Sequence, residues 1–131
     1  MIIDASNGSI INSKAICIHD DIVDELHFWR SSKKLHLSVK KENGNDYSID
    51  YLEVIGFEIT SCDFWGSSPH ILDFEYVEKL ENTIIPALFM KNNTSSTLFC
   101  SLDNQDAYFE SKITFSSGDC LKVACKSINI D

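Results

Sequence analysis

Between Leu35 and Lys41 the apolar residues recur at every second position. Leu35, Leu37 and Val39 alternate with His36, Ser38 and Lys40. A period of two places successive side chains on opposite faces of an extended strand and cannot form one stripe along a helix. The run Glu25-Leu26-His27-Phe28-Trp29-Arg30 precedes it across the turn-like Ser31-Ser32-Lys33-Lys34, and Asn43-Gly44 follows it. Asn-Gly between apolar runs is a strong hairpin signal. A second hairpin lies near the C-terminus. Phe109, Ser111, Ile113 and Phe115 alternate up to Ser116-Ser117-Gly118-Asp119, and Leu121, Val123 and Cys125 run back. The chain must therefore fold mainly as antiparallel β-structure.

Three breaks in parity shape the expected sheet. Tyr47, Ile49 and Tyr51 share one parity, Leu52 and Val54 take the other, and Ile55, Phe57 and Ile59 return to the first. One long strand with β-bulges, or a strand covered on both faces, accounts for this, with Gly56 at a bend. After Cys125 the register changes again, so Ile128 and Ile130 imply a bulge near Lys126. Ile71–Val77 fits a strand or the start of a helix. Leu80, Ile84, Ile85, Leu88 and Phe89 have near-helical spacing, and Pro86 is tolerated there only in a first turn. Leu98–Leu102 reads as a short strand, and the first dozen residues are weakly patterned around a turn at Ser6–Ser9.

A chain of 131 residues with 44% hydrophobic and 11% aromatic residues can bury one core. No repeat, low-complexity tract or linker interrupts it, so residues 1–131 form a single domain. The expected fold is mainly β, a β-rich α+β arrangement. It has a twisted antiparallel sheet of six or more strands, closed as a sandwich or half-open barrel, with one short helix.

Charge narrows the function. Twenty Asp and Glu oppose eleven Lys and Arg, a net charge of −9. Such a surface repels nucleic acid and anionic membrane and attracts basic proteins. Lys33, Lys34, Lys40 and Lys41 beside Trp29 and Tyr47 could bind a single strand. They equally protect a hairpin edge from aggregation, and the whole-chain charge favours that reading. No apolar run reaches the roughly 20 residues that span a bilayer. Met1-Ile2-Ile3-Asp4 carries no basic region and apolar core, so no secretory signal is expected. Five cysteines without a C-x-x-C are read as reduced thiols in a cytoplasmic protein, with Cys17, Cys100 and Cys125 inside strands.

No catalytic motif stands out. His19, Asp20, Asp21, Asp24, Glu25 and His27 are dense in metal-ligating types, but lack the spacing of a metal motif and read as a solvated acidic edge. Neither a nucleophile frame nor a phosphate loop is present. The chain is expected to be no enzyme and to need no cofactor or metal. Residues 63–110 hold eight acids against two lysines, a local charge of −6. Aromatic anchors beside carboxylates suit a basic partner. The candidate partner-binding set is Asp63, Phe64, Trp65, His70, Asp73, Glu75, Glu78, Glu81, Asp103 and Asp106. The competing reading is that Phe64 and Trp65 plug the core and the acids are solvated.

The Glu25–Lys41 hairpin, the Asp63-Phe64-Trp65-Gly66-Ser67-Ser68-Pro69-His70 loop before an acidic segment, and the closing strand pair around Ser117-Gly118-Asp119 carry a resemblance. In these features the chain resembles bacterial immunity proteins of contact-dependent inhibition and related polymorphic toxin systems. The resemblance implies a cytoplasmic inhibitor that covers the active site of a basic toxin domain, often a nuclease. An adaptor or structural subunit of a larger assembly, or a small ligand-binding β-fold, would fit the same composition. The oligomeric state stays open.

Overall fold

The computed structural model describes residues 1–13, 16–41, 44–59, 69–94 and 102–131. Among them, nine strands and one α-helix follow in chain order. The strands are β1 (Ile2–Asp4), β2 (Ile22–Trp29), β3 (Lys34–Lys40), β4 (Tyr47–Leu52), β5 (Gly56–Ile59), β6 (Ile71–Val77), β7 (Phe109–Phe115), β8 (Cys120–Cys125) and β9 (Ser127–Ile130). Helix α1 (Ile84–Thr94) lies between β6 and β7. The first sheet has the order β1-β9-β4-β3-β2 and the second β5-β8-β7-β6. Neighbours in both sheets are antiparallel.

The alternation read from the sequence selects the inner faces. Leu35, Leu37 and Val39 of β3 are fully buried, as are Ile49 and Tyr51 of β4 and Ile128 of β9. Ile113 and Phe115 of β7 and Leu121, Val123 and Cys125 of β8 meet them from the second sheet, within one core cluster. This is the expected β-rich sandwich with one helix.

The expected bulges in residues 47–59 and near Lys126 are corrected. Both are places where the chain changes sheet. β4 belongs to the first sheet and β5 to the second, and β8 and β9 divide the same way. The two crossings run side by side. Ile55 N donates to Ala124 O at 2.9 Å, and Lys126 N donates to Leu52 O at 3.2 Å. Each crossing supplies the hydrogen bonds the other would lose on leaving its ladder. Glu53 makes the turn at φ 53°, a left-handed conformation uncommon outside glycine. A second seam joins β2 to β6. Ile22 bridges His70, Val23 N donates to Pro69 O at 3.1 Å, and Ile71 N donates to Asp21 O at 2.8 Å.

Helix α1 covers one end of the outer face of the second sheet. Ile84 and Ile85 pack with Tyr108 and Ala124, beside Ile55 and Leu88. Pro86 falls in the first turn, where its missing N–H removes no helical bond. The helix start is held by Glu110 of β7, whose side chain is fully buried. Its carboxylate accepts from Ile85 N at 2.7 Å and from Thr83 N at 3.2 Å. Two orphan amides are satisfied, and the charge sits at the positive end of the helix dipole. Gly56 lies under the same helix. A Cβ there would meet Ile84 Cγ2 at 2.8 Å and Leu88 Cδ1 at 3.1 Å. Its role is close approach of helix to sheet rather than a strand bend.

Two substitutions test this seam. Glu110→Ala removes the acceptor of the buried Ile85 N and of Thr83 N, which lies near solvent, and should cost about 1–3 kcal/mol in urea unfolding. Gly56→Ala overpacks the contact and should cost about 1–3 kcal/mol. An unchanged unfolding midpoint in both would mean that the helix docks without them.

Candidate functional site

The structure divides the ten expected partner-binding residues. Asp63, Phe64 and Trp65 lie outside the described residues. His70 is half-buried at the seam between the sheets, where its carbonyl accepts from Ser116 N at 2.9 Å. Asp106 is ion-paired with Lys79 at 2.9 Å, and Asp103 with Lys126. Hydrogen bonding to Lys126 lowers the Asp103 pKa, and the same bond raises that of Lys126. Those two acids are locally neutralised, and Glu110, also counted in the acidic segment, is buried under α1. Asp103 and Asp106 stay exposed beside their lysines, and the rest of the expected acidic set is Asp73 and Glu75 on β6, with Glu78 and Glu81 around the 3-10 helix Lys79–Glu81.

Asp73 and Glu75 share the outer face of β6, opposite Thr114 and Lys112 of β7. Their carboxyls are close enough that a hydrogen bond from one to the other is the main cause of a raised Glu75 pKa. Partial burial and the negative charges of Asp73 and Glu81 push the same way, and Lys112 opposes them. Across the sheet, Glu58, Lys122, Lys112 and Glu75 stand in one row. The acids flank two lysines set directly opposite each other, which offsets a like-charge pairing.

Beside the acidic pair lies a cavity of about 450 Å³ between the 3-10 helix Gly8–Asn12, residues 16–19 and β6. Ile16, Leu72 and Phe74 line it with His19, Asp73 and Glu75. His19 Nδ1 donates to Leu72 O at 2.7 Å. Asn12 guards the strand edge here, its amide donating to Tyr76 O at 3.4 Å and its oxygen accepting from Tyr76 N at 2.9 Å.

The acidic string at 19–27 is dispersed. Asp21 is buried and accepts from Tyr47 OH at 2.6 Å, and Asp24 lies 3.7 Å from Lys40. Burial, then the bond to Asp21, holds the Tyr47 phenol well above its usual range. His27 stacks on Trp29, ring centroids 5.3 Å apart. The hairpin lysines have local partners too. Lys34 sits 5.8 Å over Trp29 and 3.7 Å from Asp50, and Lys41 sits 5.3 Å over Tyr47. Cys17 is corrected: it is exposed and outside every strand, while Cys125 is buried as expected. Cys100 lies outside the described residues. Leu98–Ser101 do as well, and Leu102 is not in a strand.

One arrangement escaped sequence reasoning. On the outer face of the first sheet, His36 Nδ1 is 2.5 Å from Asp50 Oδ1 and His36 Nε2 is 3.1 Å from Ser38 Oγ. The i, i+2 spacing of His36 and Ser38 was visible, but Asp50 joins them only through the β3–β4 register.

No protein-family model matches the chain, and no curated protein matches it. Among solved structures it is similar to one described as an uncharacterized protein from Neisseria gonorrhoeae. That likeness has 18% identity over 88% of this chain and 93% of the other, with a TM-score of 0.45.

The crowded carboxyls make a pH-dependent prediction. A raised folded pKa means the native state binds the Glu75 proton more tightly than the unfolded chain. Stability from this site is therefore full below the ordinary value of 4.5 and is lost as pH rises through the folded pKa. Glu75→Gln should raise the thermal midpoint at neutral pH, and the gain should close as pH falls below that ordinary value. Equal midpoints at neutral pH would remove the repulsion argument.

Proposed function

We propose that this chain binds a basic protein through the acidic face of β6 and the turn after it, and inhibits that partner by covering its working surface. The observation that carries this reading is the Asp73–Glu75 pair beside a groove of mixed polar and apolar lining. A lysine or arginine supplied by a partner would relieve the carboxyl repulsion. Its aliphatic stem would lie along Ile16, Leu72 and Phe74. Glu78 and Glu81 extend the same field, and the net charge of −9 adds long-range attraction that raises the association rate.

Taken with the resemblance to immunity proteins, the partner on this reading is the C-terminal domain of a toxin, in the form of a basic nuclease. The site of action is the cytoplasm, whose reducing poise suits the Cys17 and Cys125 thiols. Occlusion of this kind requires no chemistry from the inhibitor itself.

A tagged chain should retain a basic protein from a lysate of its native host at low salt. Association should slow as salt rises, since screening shortens the reach of surface charge. Glu75→Lys combined with Glu81→Lys should weaken retention at least about tenfold, equivalent to about 1.4 kcal/mol. Equal binding by the variant, with a rate indifferent to salt, would place the interface elsewhere.

A further inference from the structure

On the opposite face of the sandwich we infer a nucleophilic serine: Ser38, activated by His36 and Asp50, for acyl transfer from small esters that carry a cationic group. β3 turns His36 and Ser38 to the same outer face, and β4 sets Asp50 directly across from His36. The carboxylate of Asp50 can only accept, so the short 2.5 Å contact puts the imidazole proton on Nδ1. Nε2 is left to accept from the Ser38 hydroxyl at 3.1 Å. A nucleophile bonded to a base that a third group orients is the geometry shared by serine hydrolases on unrelated folds. The dyad is shielded, with the His36 side chain 25% exposed and that of Asp50 14% exposed. Trp29 packs against the imidazole at 6.2 Å between ring centroids.

Ser38 and His36 line an open surface groove of about 430 Å³. Asp24, Glu25, Asp46 and Asp131 border it against Lys40 alone, so its field favours a cationic substrate. In the first step the Ser38 Oγ attacks the ester carbonyl carbon and its proton passes to His36 Nε2. The carbonyl π pair moves onto oxygen. Collapse breaks the bond to the leaving group, which takes the proton from His36 and departs as the alcohol or thiol. Water then repeats the sequence on the acyl-serine, releasing the acid and restoring Ser38. Backbone amides of the central strands are committed to the ladder. The Lys40 ammonium and the Ser48 hydroxyl are the groove donors that remain for the developing oxyanion. Without aligned amide donors such sites lose about 10²–10³ in rate, so turnover is slow and confined to esters with good leaving groups.

Ser48 provides an internal control, because it faces Ser38 in register and borders the same groove without bonding the imidazole. A fluorophosphonate should form an adduct that peptide mapping places on Ser38 and not on Ser48. Ser38→Ala should abolish it, and His36→Asn should slow it about 100-fold while the circular dichroism of the sheet is kept. Asp50→Asn should slow labelling without moving it to another residue. Acetylthiocholine should be hydrolysed by the wild-type chain and not by Ser38→Ala. No adduct, an equal adduct on Ser48, or labelling unchanged in His36→Asn would overturn the assignment. Glu75→Lys with Glu81→Lys should leave labelling intact, which keeps this test separate from partner binding.

Discussion

The paired crossing at Leu52–Gly56 and Cys125–Ser127 is the constraint on which the rest of the structure depends. A strand that leaves one sheet for another abandons hydrogen-bond partners, and a buried amide without a partner costs about 1–3 kcal/mol. Here two chains leave together and bond to each other through Ile55 to Ala124 and Lys126 to Leu52. Four strands inherit their position from this corner: β4 and β9 on one side, β5 and β8 on the other. The corner sets which faces of the two sheets meet, and so which residues are left outside.

The outer face of the second sheet is not uniform as a result. One end carries Gly56, Ala124 and Glu110 in a row, small side chains and a buried acid, and α1 closes over it. The other end carries Asp73 and Glu75, and no helix among the described residues covers it. Glu110 and Glu75 are both glutamates on outward positions of neighbouring strands, yet their surroundings are opposed. The first accepts from amides at the helix start. The second meets another carboxyl and is pushed towards the protonated form.

Alternation makes both hairpins and the two faces of their strands legible in the sequence. Parity alone puts Leu35, Leu37 and Val39 on one face, as it does Ile113 with Phe115 and Leu121 with Val123, and these are the faces the fold buries. The same parity rule failed at Leu52 and Lys126, because a bulge and a change of sheet leave the same trace in one dimension. Only the partner strand separates them. β1 is not legible in the sequence because three residues carry too little pattern. Charge was legible in amount but not in disposition. Asp103 and Asp106 count equally with Asp73 in the sequence, but long-range pairing sets Lys126 and Lys79 beside them and offsets their charge.

The Ser38–His36–Asp50 contact shows why some chemistry is invisible in a single chain read linearly. Ser38 and His36 are two residues apart, and any alternating strand of polar residues offers such pairs. What distinguishes this one is a carboxylate fourteen residues from the histidine, delivered by the register of a hairpin that folds for reasons of burial. Leu37 and Val39 face Ile49 and Tyr47 across the ladder, and that packing fixes Asp50 opposite His36. A slip of one residue would turn the carboxylate to the other face and leave the imidazole without an orienting group. The relay is therefore as stable as the core behind it, which is the condition a reactive side chain on a sheet has to meet.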